Sequence, residues 1–265
     1  MSADHLTGNW EQGDAYERYV GRWSRAVAPA FLRWLDAPPG ERWLDIGCGT
    51  GALTEAIVVG CEPSWVGGVE PSAGFLDTAR ARLGTRADLR QGSAEAIPFD
   101  DDTADVVVSG LVLNFVPDPA RAVTEMARVT RPGGTVAAYV WDYAGGMELM
   151  RAFWDAAVGL DPTAPDEGAR FPLCEPHALA RVFTEAGLVA AETNGVEIPT
   201  TFSSFDDYWT PFLGGQGSAP TYAMSLTDRD RERLRDALRE RVSTEPDGSI
   251  RMHARAWAVR ASVPD

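Results

Sequence analysis

The sequence predicts an α/β fold, a parallel sheet with helices on both faces, and three observations carry that reading. Short apolar runs alternate with helical patterns from residue 41 to about residue 141. One of these runs, Ala104 to Ser109 around Val106-Val107-Val108, is apolar on both faces, as a strand buried between two helix layers must be. A glycine-dense turn, Gly47-Cys48-Gly49-Thr50-Gly51, stands where the first strand gives way to a helix.

Residues 1–40 read as a helical lead-in rich in aromatics and arginine (Tyr16, Tyr19, Arg22, Trp23), ended by Pro38-Pro39-Gly40. Arg42 to Ile46 is the first strand, and a helix follows from about Ala52. Trp65 to Val69 is the second strand, closed by Glu70, with a helix beginning at Pro71-Ser72. Asp88 to Gln91 and Ala104 to Ser109 are the third and fourth. Pro119 to Val129 is an amphipathic helix stopped by Pro132-Gly133-Gly134, and Thr135 to Trp141 is the fifth strand.

Beyond Trp141 the alternation loosens. Helices are expected at Met147–Ala157 and Pro176–Ala186, the latter capped by Gly187. Val189 to Phe202 reads as one long or bent strand, and Phe205 to Met224 as a cap or lid of aromatics and glycine. Thr227 is the N-cap of a charged helix reaching Val242, and Ile250 to Val263 is a last strand. Three regions follow: an N-terminal helical lead-in (1–40), a core built on the glycine turn (41–142), and a cap with the strands that complete the sheet (143–265).

Composition narrows the function. The 265 residues carry a net charge of −15 with no lysine, which disfavours a nucleic-acid partner. No stretch reaches the roughly 20 apolar residues of a membrane span, and Met1 to Arg25 lacks the apolar run of a signal peptide. Cys48, Cys61 and Cys174 form no CxxC pair, which fits a reduced, cytoplasmic setting.

Glycines at a strand-to-helix turn let backbone approach a ligand, and the helix N-terminus favours an anionic group. Gly47-x-Gly49-x-x-Ala52 also meets a relaxed dinucleotide fingerprint, so the glycines alone leave two readings open. Asp45 separates them: a carboxylate just ahead of the first glycine repels a pyrophosphate but suits a sulfonium nucleoside with an amino group. Glu70 stands where an acid bonding ribose hydroxyls is expected, and serves either cofactor. Ser93-Ala94-Glu95, after the third strand, offers a small residue and an acid to an adenine edge.

In this order, Leu44-Asp45-Ile46-Gly47-Cys48-Gly49-Thr50-Gly51, Val69-Glu70-Pro71-Ser72, Ser93-Ala94-Glu95, Leu113-Asn114-Phe115-Val116-Pro117-Asp118 and Arg131-Pro132-Gly133-Gly134 resemble the class I S-adenosylmethionine-dependent methyltransferases, in particular the type 11, ubiquinone-biosynthesis-like small-molecule group. Tyr19-Val20-Gly21-Arg22-Trp23-Ser24 is similar to relatives in that group.

The resemblance implies a Rossmann-like, doubly wound seven-stranded sheet with an antiparallel last strand. It implies that Gly47, Gly49 and Gly51 line the methionine portion of S-adenosylmethionine, that Glu70 holds the ribose, and that Ala94 and Glu95 meet adenine, with Cys48, Pro71 and Ser93 also in the cofactor site. Leu111 falls near the sulfur, and Tyr19 and Arg22 close over the cofactor, with Arg22 facing its carboxylate. Many relatives carry histidine at the position of Asn114, so no base role transfers there.

Methyl transfer is an in-line displacement governed by alignment and exclusion of water. The expected enzyme moves a methyl group to a small, apolar or aromatic-containing acceptor and yields S-adenosylhomocysteine, as a monomer or homodimer, without a metal. Asn114, just past the fourth strand, and Asp142 and Tyr143, past the fifth, are the catalytic candidates. Two other readings compete: a cofactor-binding protein without methyl transfer, cyclase-like or regulatory, and an NAD(P)-dependent oxidoreductase. The second would want a Tyr-x-x-x-Lys pair, which a chain without lysine cannot supply.

Overall fold

The structure, a computed structural model, describes residues 21–214 and 217–265. Its strands are β1 (Arg42–Ile46), β2 (Trp65–Glu70), β3 (Asp88–Gln91), β4 (Ala104–Gly110), β5 (Thr130–Trp141), β6 (Val189–Phe202) and β7 (Ile250–Ser262). They form a seven-stranded sheet in the order β3-β2-β1-β4-β5-β7-β6. The first five are parallel, and β7 inserts antiparallel to β5, with Tyr139 opposite Ala258. This is the Rossmann-like arrangement expected. Strand order reverses at β1 and β4, so the carboxyl ends of those two strands flank the crevice where such sheets bind ligands.

The helices are α1 (Arg22–Leu35), α2 (Ala52–Gly60), α3 (Ala73–Leu83), α4 (Pro119–Val129), α5 (Glu148–Leu160), α6 (Glu167–Arg170), α7 (Pro176–Glu185), α8 (Phe205–Trp209), α9 (Ser218–Ser225) and α10 (Asp228–Arg241). Their ends follow local chemistry. Ser72 caps α3 by accepting from Phe75 N, so that helix starts two residues later than Pro71. Asp118 caps α4, with Pro119 at its first position, where the missing N–H costs nothing. Gly187, at φ +86°, ends α7, its N–H donating to Thr184 O.

A further boundary differs from the sequence expectation. β5 begins at Thr130, not Thr135, because Thr130 pairs with Ala104 before a register shift at Val106. The Pro-Gly-Gly turn is thus a bulge inside the strand.

The chain divides into two compact units. Of the described residues, the larger comprises 24–141, 172–196 and 256–265, and the smaller 21–23, 142–171, 197–214 and 217–255. In the larger, Leu44, Ile46, Val107, Val136 and Val140 of the sheet pack with Val123 and Met126 of α4 and Leu179 and Phe183 of α7. Each of these is nearly inaccessible to solvent. On α3, Leu76, Ala79 and Leu83 pack with Leu89 and Cys48.

The smaller unit is held by aromatic packing. Phe153 stacks on Phe212 at 4.5 Å, and Tyr208 meets Phe202 edge-on at 4.9 Å. The buried Trp154 donates its indole N–H to Glu167 at 3.0 Å. Among the described residues no helix is long and apolar enough to cross a membrane, and no group of His, Cys, Asp and Glu is placed to hold a metal ion.

Candidate functional site

The glycine turn is tied down at both ends. Gly47 N and Cys48 N both donate to Val69 O, at 2.8 and 3.0 Å, and Gly51 N donates to Cys48 O at 2.8 Å. Gly47 has φ +74°, and a Cβ there would lie 2.6 Å from a methyl of Val112. The loop after β4 therefore sits directly against the loop after β1, and only glycine fits between them. Gly49, at φ +54°, faces open space: a Cβ there would meet nothing within 4 Å.

Two carboxylates converge on this turn. Glu70, at the end of β2, accepts from Gly49 N through Oε2 at 3.0 Å and from Ser72 N through Oε1 at 2.9 Å, clasping the loops after β1 and β2. Burial pushes its carboxyl up, against the lowering effect of those two amide donors. Asp45 lies within β1 and is 1% exposed. Its Oδ2 accepts from Thr54 Oγ1 of α2 at 2.6 Å, while Oδ1 is buried with no hydrogen-bond partner among the described residues. Burial, reinforced by the charge of Glu70, pushes the Asp45 carboxyl up to about 7. Burial and the same two acids also hold the Cys48 thiol above its ordinary range, so it stays protonated at neutral pH.

An ionised carboxylate this deep, with one oxygen unpaired, is stable only if something positive or hydrogen-donating reaches it.

The other candidates are placed as follows. Pro71 follows Glu70, and its carbonyl accepts from Gln91 Nε2 at 3.1 Å. Ser93 Oγ accepts from Glu95 N at 3.1 Å, turning the chain at the buried Ala94. The Glu95 carboxylate accepts from Asp118 N at 3.1 Å, ahead of α4. Leu111 holds φ +65°, a left-handed conformation rare for a branched residue, and its N–H donates to Tyr139 O at 2.7 Å. Asn114 follows in the turn Leu113–Phe115; its Nδ2 donates to Cys174 Sγ at 3.6 Å, and its Oδ1 is buried with no partner among the described residues. All of these belong to the larger unit.

Tyr19 lies outside the described residues. Arg22, Asp142 and Tyr143 belong to the smaller unit. The Arg22 guanidinium lies 4.5 Å from the Trp23 ring and 4.7 Å from that of Phe202, with Asp207 at 3.4 Å. Tyr143 is buried against Phe171 at 5.5 Å.

Asp142 accepts from Gly145 N at 2.9 Å and from Arg255 Nε and Nη2 at 2.9 and 2.7 Å, so both its oxygens are engaged. Asp142→Asn is expected to destabilise the fold by about 1–2 kcal/mol, discounted for the partly exposed arginine, and to leave cofactor affinity within about twofold. Thermal melts and cofactor titration of this variant check both; a loss of affinity without a loss of stability contradicts it.

Thr54 and Cys174 were not singled out by sequence. Neither stands in a motif, and each meets its partner only through the fold.

The comparisons bear on this geometry. A methyltransferase-domain family of type 11 matches residues 44–138. An uncharacterised methyltransferase of Mycobacterium tuberculosis is 43% identical over 129 residues, 48% of this chain and 49% of that protein. The chain thus spans about half the length of the mycobacterial relatives it matches. A ubiquinone biosynthesis O-methyltransferase of Burkholderia pseudomallei is 31% identical over 180 residues, 63% of this chain and 74% of that protein. Among solved structures, a phosphoethanolamine N-methyltransferase of Haemonchus contortus in complex with S-adenosyl-L-methionine superposes with a TM-score of 0.60 at 15% identity, covering 99% of this chain and 60% of that one. With the glycine turn, the two carboxylates and the sheet order in place, the chain belongs to the class I S-adenosylmethionine-dependent methyltransferases of type 11.

Proposed function

We propose that this protein binds S-adenosylmethionine in the crevice at the ends of β1, β2 and β4 and transfers its methyl group to a small-molecule acceptor. One observation carries the reading: Asp45 is a fully buried carboxylate with an unpaired oxygen, beside a glycine turn whose middle faces open space. An anionic pyrophosphate is repelled there, whereas a ligand bearing an ammonium and a sulfonium relieves the buried charge. When bound, S-adenosylmethionine supplies a methyl group on an already activated leaving group.

The chain's own residues hold and orient. The backbone of Gly47, Cys48, Gly49 and Gly51 lines the methionine portion, and Asp45 counters its positive charge. Glu70, with spare lone pairs beyond its two amide donors, receives the ribose hydroxyls, and Pro71 packs beside them. Ser93, Ala94 and Glu95 border the adenine, and Leu111 the sulfur end. Asn114 orients the acceptor. Asp142, held by Arg255, is assigned no part in proton transfer.

Calorimetric titration of the full chain at pH 8 is expected to show S-adenosylmethionine and S-adenosylhomocysteine binding at about 1–100 µM, with no heat from NADH. A well-folded protein that binds neither overturns the proposal. Incubation with methyl-labelled cofactor and a panel of acceptors then separates transfer from binding alone, since a protein that only binds leaves every acceptor unlabelled.

A further inference from the structure

Asn114 is held by a contact that no motif announces. It lies in the turn Leu113–Phe115 after β4, packed against the turn Pro172–Cys174 before α7. Cys174 is 1% exposed, and its thiol lies 3.2 Å from the carbonyl oxygen of Trp141. A carbonyl can only accept, so the thiol proton points to Trp141 and the sulfur offers lone pairs alone on its other side. Asn114 approaches on that side, at 3.6 Å. Its carbonyl oxygen would face a second acceptor there, so the amide must present Nδ2 to sulfur. The direction of one thiol proton therefore settles the amide orientation and turns Oδ1 the other way, where it is buried and unpaired among the described residues.

Resting on the reading of this crevice as a cofactor and acceptor site, we infer that Cys174 is a positioning residue for Asn114, and that the acceptor presents an N–H or O–H to Asn114 Oδ1. A buried acceptor oxygen rejects a ligand that brings no donor more strongly than it rewards one that does, so the relay acts as a filter on the acceptor. Primary and secondary amines, alcohols and phenols satisfy it; their fully methylated counterparts leave Oδ1 orphaned.

The test uses the full chain saturated with S-adenosylhomocysteine and four probes of one ring: aniline and phenol, which carry a donor, and N,N-dimethylaniline and anisole, which do not. Affinities are read by titration, and the Asn114 side-chain amide by ¹⁵N–¹H correlation spectra, assigned through its loss in Asn114→Ala. In the wild type, at least one of aniline and phenol binds about tenfold more tightly than its methylated partner and shifts the Asn114 amide pair; which one does so separates amine from hydroxyl acceptors. Cys174→Ala loses that preference and changes the amide resonances even without ligand, whereas Cys174→Ser, which keeps a donor and an acceptor, retains both.

Equal affinities within both pairs, or a preference that survives Cys174→Ala with unchanged amide resonances, overturns the inference while the cofactor reading stands. Absence of S-adenosylhomocysteine binding overturns that reading itself.

Discussion

Asp45→Asn is expected to make the ligand-free protein more stable and, at the same time, a much poorer binder of S-adenosylmethionine. Burial pushes the Asp45 carboxyl up to about 7, whereas in the unfolded chain it titrates near its ordinary value of about 3.9. Between these values the folded state holds a proton that the unfolded state has released. Stability from this group is therefore fully present below about pH 4 and is lost as pH rises through 7. Asparagine carries no such penalty. The variant should exceed the wild type by about 1–3 kcal/mol at pH 8 and by much less at pH 5, a difference of several degrees in melting temperature.

Binding should move the opposite way. A cationic ligand favours ionised Asp45, so replacing it is expected to weaken S-adenosylmethionine by about 10–100-fold at pH 8. At pH 6 only about a tenth of the wild-type carboxyls are ionised, and the ratio between the two proteins should shrink about tenfold. The ligand's own amino group titrates alike against both proteins and cancels from that ratio. Adenosine, which is neutral, should bind both proteins almost equally. A ratio that does not change with pH would show that Asp45 does not meet the cofactor's charge.

The parts of this site that sequence makes legible are those held by local geometry. Gly47, Gly49 and Gly51 can take a left-handed backbone without strain, and all three do. The inner parallel strands are legible because burial on both faces leaves apolar runs such as Val106-Val107-Val108, whereas the edge strand β3, Asp88–Gln91, buries only Leu89. Asp45 reads as an acid beside a glycine turn, yet its isolation depends on Thr54 occupying one oxygen from α2, which spacing alone does not reveal.

The remote pairings are illegible for the same reason. Asp142 reads as an acid at a sheet edge, and only the return of the chain 113 residues later brings Arg255 onto it. Asn114 and Cys174 are 60 residues apart. Of the helical boundaries, those with strong caps, Thr227 for α10 and Gly187 after α7, agree with sequence, because a cap is a property of a few consecutive residues. The start of β5 does not, because a Pro-Gly-Gly turn looks like an end until Thr130 is seen to pair with Ala104.

Glu70→Gln should separate the nucleoside half of the cofactor from its charged half. Both carboxylate oxygens accept from backbone N–H groups, those of Gly49 and Ser72, and a carboxamide can accept on one side only. Whichever way the glutamine turns, an amide N–H faces a backbone N–H, and the clasp between the two loops loosens at a cost of about 1–3 kcal/mol. The same substitution removes an acceptor for ribose hydroxyls. Adenosine and S-adenosylmethionine are therefore both expected to weaken relative to the wild type at pH 8, where Asp45 is ionised in both proteins, by a similar factor of about 10–100. That pattern is the converse of Asp45→Asn, which spares adenosine and tracks the titration of a single carboxyl. The contrast matters because a general loosening of the glycine turn weakens every ligand in either variant. Only two acids with different partners on the same ligand produce opposite patterns, and calorimetry with adenosine and S-adenosylmethionine at pH 6 and pH 8 reads them directly. A Glu70→Gln protein that melts lower yet binds adenosine like the wild type would leave Glu70 a clasp between loops and nothing more.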